Sequence, residues 1–466
     1  MDFRDVDLAA LAADVRAGRR SAEAVARDTL ARIAAEDPRL NAFVALVDGA
    51  TLLEEARALD RAVAAGRDPG PLAGVPVGVK DLEDVRGLRS TYGSALWADA
   101  PPAEQDSIAV ARLRAAGALI VGKTNTPEFG CKGVTDNPLF GTTSNPWNLE
   151  HSAGGSSGGS SAALAAGLVP LATGSDGGGS IRIPASICGH SGFKATQGRV
   201  AMGDASPPTT GVLAVRGPMA RTIRETVIAL DVLRGPDARD IFSLPADDGP
   251  WLAQLDARPA PAKAIWSPGL GYAELDDEVR RVCEAAVERL RDAGVEIVDR
   301  ESVLEEHPLR HWWALWTSLM ARKLGDRRGT ADWERIDPAL REMVEVGTTV
   351  SGADFARALD ACHLFNLQLE AAFEEAPLIL SATCAGRAPR HGEPGTVNGT
   401  PTARWVEMTF GLNLTRNPAA TVHAGLDAGG LPVGLQLVGR QRDDVGVLRA
   451  AAFAEEVLGG PGRAPF

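Results

Sequence analysis

The chain reads as an α/β protein, and three observations carry that reading. Short apolar segments such as Val75-Pro76-Val77-Gly78-Val79 and Ala118-Leu119-Ile120-Val121 have the length and spacing of strands. Segments of helical length lie between them, for example Asp106 to Ala116. Glycine- and serine-rich loops sit at the junctions, the densest being Gly154 to Ser160 and Gly174 to Arg182. At 466 residues the chain exceeds one typical domain, a size that large α/β enzymes reach.

Composition narrows the class. Hydrophobic residues make up 45% and charged residues 23%, ordinary for a globular chain with a large core. A net charge of −13 argues against nucleic acid or an anionic membrane as partner, since both want a basic face. Cys131, Cys188, Cys283, Cys362 and Cys384 are scattered and form no CxxC, so neither a disulfide framework nor a zinc site is expected, and the setting is a reducing cytoplasm. The N-terminus has no apolar stretch of a secretory signal, and no run is apolar enough for a membrane span.

Taken in order, Asp7 to Ala17, Ser21 to Ala35 and Leu52 to Ala65 read as amphipathic helices, with Ser21 as an N-cap. Residues 1–70 are thus expected to form a helical clasp. Residues 71–235 hold the motif-bearing core. Val75, Val77 and Val79 alternate like a strand that ends at Lys80. Gly117-x4-Gly122-Lys123-Thr124 matches a phosphate-binding loop, but the residues between its glycines read as a strand and Pro127 blocks the helix the motif requires, so the match is rejected. Asn125 to Leu149 reads as loop, Ser161 to Ala166 as a short helix and Leu168 to Thr173 as the strand feeding the second Gly/Ser loop. Gly198 to Met219 reads as loop, Thr222 to Leu233 as a helix and Arg234 to Pro261 as a surface connection. Residues 236–400 form a variable, partly helical region. Within it Ala262 to Trp266 and Val295 to Val298 flank a helix at Asp277 to Ala293, and Ala353 to Glu375 is a further helix. Leu309, Trp313, Trp316 and Met320 fall on one helical stripe, which core packing explains in part and a pocket wall explains in part. Leu378 to Ser381 and Leu431 to Gly439 read as strands, and Asp444 to Leu458 closes residues 401–466 as a helix.

The chemistry concentrates in the two Gly/Ser loops. Serine hydroxyls beside free backbone N–H groups are the parts of a nucleophile and an oxyanion hole. Such a nucleophile needs a base. Lys80 either pairs with Asp81 as a structural lysine, or sits desolvated, neutral and able to take a proton. His151 and His190 flank the loops, but Gly-x-Ser-x-Gly does not occur around Ser180, which disfavours a Ser-His-Asp arrangement. Asp176 is expected to pair with Arg182 across the second loop and hold its shape, a role preferred to substrate-carboxylate binding by Arg182.

Four ordered motifs resemble the amidase signature family: Gly74 to Asp81, Gly154 to Ser160, Gly174 to Pro184 and Gly430 to Leu437. The likeness runs essentially end to end and is weakest over Pro236 to Thr400. It implies a single amidase domain with a central mixed, twisted β-sheet covered on both faces by helices. It also implies a Ser-cisSer-Lys triad, in which Ser180 is the nucleophile, Ser156, after a cis Gly155–Ser156 bond, is the bridge, and Lys80 is the base. The N–H groups of Gly177, Gly178, Gly179 and Ser180 would form the oxyanion hole, with Ser157, Asp176 and Arg182 supporting the loops. No metal or other cofactor is implied. Four positions depart from the pattern: Ala153, Ser175, Gly177 and Ala195. Gly177, where a bulkier residue is usual, is expected to loosen or widen the oxyanion loop.

The family includes enzymes acting on aliphatic, aryl and fatty amides, nylon oligomers, ureido compounds and carbamates, and the glutaminase subunit of tRNA-dependent amidotransferases. Ile183 stands where that subunit carries glutamine, and the acidic charge does not suit a tRNA partner. The resemblance and the aromatic stripe together point to a monomeric or homodimeric amidase of small apolar or aryl amides, extending to carbamates (urethanase activity) and esters. Its pocket is expected among Phe129, Gly130, Cys131, Trp313, Trp316 and Met320, in a segment that also contains Trp312. A catalytically silent scaffold with the same fold is the non-enzyme alternative.

Overall fold

The computed structural model describes residues 1–203, 211–256 and 261–466. The parts of the loop readings at 204–210 and 257–260 lie outside the described residues.

The strand Pro76–Lys80 is buried along its whole length, because it is central and covered on both faces. It pairs in parallel with Leu119–Thr124 and with Leu171–Asp176. Phe43–Leu46 and Val215–Ala220 close this five-stranded sheet as antiparallel edges. Neither edge is foreseen from the sequence. Phe43–Leu46 falls inside the expected helical clasp, and Val215–Ala220 contains Pro218, which an edge strand tolerates because its N side needs no ladder partner.

A second sheet of six strands runs Glu296–Asp299, Lys263–Trp266, Leu378–Ala382, Pro432–Gly439, Ala419–Leu426 and Gly192–Lys194. Its pairing is parallel at the first two junctions and antiparallel at the rest. The expected mixed sheet is therefore hydrogen-bonded in two parts. The Ser191 N–H donates to the Arg221 carbonyl at 3.2 Å, tying the end of the last strand of one sheet to the end of the edge strand of the other.

Helices pack on these sheets through ordinary amphipathic faces. In Asp277–Asp292, Val279, Val282, Cys283, Ala286, Val287 and Leu290 are the buried residues, spaced for one face. Ala22–Glu36 starts where Ser21 accepts from the Ala24 N–H, as its cap pattern predicts. A helix at Trp251–Asp256 interrupts the connection read over 234–261. Pro338–Thr349 adds a further helix that packs with Leu309–Leu324. Among the described residues no helix is long and apolar enough to cross a membrane.

Candidate active site

The site begins with a lysine whose neighbouring carboxylate is already taken. Asp81 Oδ1 lies 2.9 Å from Lys123 Nζ, and Lys123 also donates to the Glu83 carbonyl at 2.6 Å and to Ser90 Oγ at 3.0 Å. This use of Lys123, on the strand Leu119–Thr124, agrees with rejecting the phosphate-loop match. Lys80 instead turns to serines. Its Nζ lies 2.7 Å from Ser156 Oγ, 2.9 Å from Ser157 Oγ and 3.0 Å from Ser175 Oγ. Its own backbone N–H is held by Thr173 Oγ1 at 3.0 Å. Lys80 is fully buried, and that desolvation lowers its pKa to about 7 against the opposing pull of Asp176 and Glu83. Ser157 donates its hydroxyl hydrogen to the Ser175 carbonyl at 3.4 Å, which leaves Ser157 an acceptor toward Nζ.

Ser156 stands on a cis peptide bond with Gly155. Shortly after it begins the helix Gly158–Ala165, and the Ser157 N–H donates to the Ser180 carbonyl at 3.2 Å. The two Gly/Ser loops are thereby stitched together. Ser180 is half-buried, and its side chain shows no hydrogen bond to Ser156 here. The backbone brings the two serines' segments together, while the side-chain contact of a relay is not made.

Asp176, Arg182 and their partners form a buried frame behind the second loop. Arg182 donates to Asp176 through Nε at 3.0 Å and Nη2 at 2.9 Å. It also reaches Gln436 Oε1 and Asn413 Oδ1, each at 2.8 Å, and it is fully buried, so it holds the loop rather than facing a substrate. Burial alone would raise the Asp176 pKa, but Arg182 and the Asn413 amide hold it well below the ordinary carboxylate range. Gln436 and Asn413 are not among the residues expected from sequence. Asn413 lies in a short helix that carries no motif, and Gln436 sits in the fourth motif without marking itself as a partner.

The expected oxyanion hole is corrected at one position. The Gly179 N–H donates to Asp176 Oδ1 at 2.8 Å, so it faces the frame and not the cleft. Gly177, Gly178 and Ser180 keep N–H groups without an acceptor among the described residues. Gly179 itself has φ of +120°, and a Cβ there would lie 2.1 Å from Thr409 Oγ1.

The expected loosening at Gly177 is not what the structure holds. The space a side chain would occupy is filled by the helix Leu309–Leu324: a Cβ on Gly177 would lie 3.1 Å from Trp316 Cζ3, and one on Gly178 would lie 2.7 Å from Trp312 Cζ2. Trp312 stacks on Trp316 with ring centres 5.1 Å apart and on Phe410 at 5.2 Å. Trp312 therefore takes the place expected of Trp313. Trp313 is half-buried, 6.1 Å from the Trp312 ring, and is not among the atoms that meet the loop glycines. Met320 is fully buried. Gly130 lies against the bridge serine, since a Cβ on it would be 3.0 Å from Ser156 Oγ. Phe129 is buried in a stack on Tyr92, with Trp97 edge-on, and Cys131 is buried beside them in sequence.

Both candidate histidines are engaged elsewhere. His190 Nε2 is 2.5 Å from Ser161 Oγ, and burial lowers its pKa to about 4. His151 Nδ1 is 2.9 Å from the Ala388 carbonyl. Neither of them forms a Ser-His-Asp site with Ser180.

The site thus sets a buried lysine against a serine on a cis bond, next to a glycine loop with N–H groups that have no acceptor among the described residues. Similarity to known proteins agrees: the Amidase family model matches residues 24–448. The chain is 37% identical to an acylamidase of Rhodococcus erythropolis over 96% of this chain and 94% of that one. It is 36% identical to a glutamyl-tRNA(Gln) amidotransferase subunit of Roseiflexus castenholzii, over 92% and 91%. A crystal structure of a bacterial aryl acylamidase of the amidase signature family superposes with a TM-score of 0.90 at 28% identity, covering 97% of this chain and 96% of that one. The chain belongs to the amidase family and is a hydrolase of carbon–nitrogen bonds other than peptide bonds.

Proposed function

We propose that this protein hydrolyses small aryl or apolar amides through a Ser180 acyl-enzyme, with Ser156 and Lys80 as the proton relay. The observation that carries the reading is the contact of buried Lys80 Nζ with Ser156 Oγ at 2.7 Å. A neutral amine has one lone pair, and Ser157 is already committed as an acceptor toward it. Of the two other hydroxyls, Ser156 Oγ is the nearer, 2.7 Å against 3.0 Å for Ser175 Oγ, and is the one assigned to give its proton to Nζ. Ser156 then takes the Ser180 proton as Ser180 Oγ attacks the amide carbon. The negative oxygen of the tetrahedral intermediate is received by N–H groups of Gly177, Gly178 and Ser180. Collapse breaks the C–N bond, and the leaving amine takes the proton back through Ser156. Water, deprotonated by the same relay, then attacks the ester; the acid leaves and Ser180 recovers its proton.

The Trp312, Trp316 and Phe410 stack beside the oxyanion loop supports an apolar or aryl substrate. The names of the acylamidase and aryl acylamidase relatives favour the same class. A carbamate or ester presents the same carbonyl to the same donors, so urethanase and esterase activity belong to the proposal. The second reading is a glutaminase subunit, favoured by amidotransferase relatives of similar identity. Against it, Ile183 is buried in an apolar cluster with Ile187, Trp405 and Leu431, a poor setting for the polar ends of glutamine.

The deciding experiment assays acyl anilides, aryl carbamates, aryl esters and glutamine with wild type and Ser180→Ala. Aniline release by wild type, lost about 10⁴-fold or more in the variant, is the expected result. Fast glutamine hydrolysis with no aniline release would replace the reading with the glutaminase one. Absence of fluorophosphonate labelling at Ser180 in folded protein would favour a silent scaffold.

A further inference from the structure

We propose that Trp312 is a positioning residue for the oxyanion loop, acting through its indole N–H as well as its ring. Trp312 Nε1 donates to the Gly177 carbonyl at 2.9 Å. In a trans peptide the N–H points opposite to the C=O, so this bond sets the direction of the Gly178 N–H. That N–H has no acceptor among the described residues, unlike its neighbour. The next peptide is set the same way with the opposite outcome: Thr409 Oγ1 donates to the Gly178 carbonyl at 2.6 Å, and the Gly179 N–H is turned onto Asp176. Two side chains outside the motif loops thus decide which N–H faces the cleft and which faces the frame.

The need for a clamp follows from the residues. Gly177 and Gly178 are adjacent glycines with little intrinsic preference against rotating the peptide between them. A rotated peptide would present a carbonyl, not a donor, to the developing oxyanion. Side chains that would limit that rotation are excluded, because the indole rings occupy their space. Trp312 is itself fixed between Trp316 and Phe410. The inference rests on the proposed acyl-enzyme reading and adds to it a residue that no motif marks.

The test replaces the donor and keeps the ring. Trp312→Phe, and separately the indole exchanged for benzothiophene by incorporating 3-benzothienylalanine at position 312, are compared with wild type on an acyl anilide. The second exchange keeps the bicyclic outline and so covers the case in which the phenylalanine variant does not fold. Expected is a fall in kcat of about ten- to a hundredfold, up to the lower end of the roughly 10²–10³-fold that outright loss of an oxyanion donor costs, because the donor is misaimed rather than removed, with KM within about twofold. Affinity for phenylboronic acid, a tetrahedral-adduct former, falls in parallel, and the pH midpoint of the rate stays in place. Unchanged kcat and unchanged boronate affinity, with any effect confined to KM, would reduce Trp312 to an apolar wall and overturn the proposal. If Ser180→Ala keeps activity, the acyl-enzyme reading itself fails; if it is inactive while both Trp312 exchanges keep wild-type kcat, this inference alone fails.

Discussion

Lys80 shows how one residue's chemistry depends on what its neighbour is doing. Asp81 would ordinarily keep an adjacent lysine charged, but it is engaged by Lys123, and Lys80 is left among hydroxyls. Burial then favours the neutral amine, and the pKa falls to about 7. In the proposed relay the neutral form is the base, so kcat/KM for an anilide is expected to be low below about pH 6, to rise through about pH 7 and to level off above it. A profile flat from about pH 5 to 9 would show that Lys80 is not the titrating base. Lys80→Ala is expected to lower kcat by about 10³-fold or more, as loss of a base acting within a unit does. The identities of Lys80, Ser156 and Ser180 are legible in the motifs. The Asp81–Lys123 pairing is not, because it joins the turn after one strand to the neighbouring strand through a contact that neither segment announces.

At the scale of elements, the second Gly/Ser loop is held from behind and from above. Behind it, Arg182 gathers Asp176, Asn413 and Gln436. Arg182→Met leaves the Asp176 carboxylate buried without its counter-charge, and a loss of about 3–5 kcal/mol in unfolding free energy is expected from denaturant titration. A change below about 1 kcal/mol would mean the frame is not a structural unit. Above the loop, the helix Leu309–Leu324 lays Trp312 and Trp316 over two glycines. Gly178→Ala puts a Cβ 2.7 Å from Trp312 Cζ2, a ring already wedged between two others. The variant is expected to fold with its melting temperature within a few degrees of wild type, and to lose about tenfold or more in kcat, approaching the roughly 10²–10³-fold cost of losing an oxyanion donor outright. Wild-type kcat in that variant would show that the loop tolerates a shift. Helical periodicity located this helix correctly but could not choose between adjacent tryptophans. Stripes through Trp312 and Trp313 both pass Trp316 and Met320, and only the packed structure shows which one meets the loop.

For the whole molecule, the site draws on both sheets. Lys80 comes from the five-stranded one, and Gln436, which holds Arg182, comes from the six-stranded one. All these groups reside in one chain, so the purified protein alone is expected to release aniline from an acyl anilide without any added protein. A strict requirement for a second, different chain would turn the reading toward an amidotransferase component. The sequence by itself determined the α/β class, most of the helices and the four motifs, which carry the three residues of the proposed relay. These depend on local patterns: periodicity, caps, and glycines and serines at fixed spacing. Tertiary structure alone decided that Asp81 serves Lys123, that the Gly179 N–H faces Asp176 and that Trp312 rather than Trp313 lies over the loop. It also decided that the edge strands Phe43–Leu46 and Val215–Ala220 form at all. The reason is that each depends on segments distant in the chain: Lys123 reaches Asp81 from another strand, the edge strands need partner strands, and even the short Gly179–Asp176 bond is set beside Thr409 holding the Gly178 carbonyl.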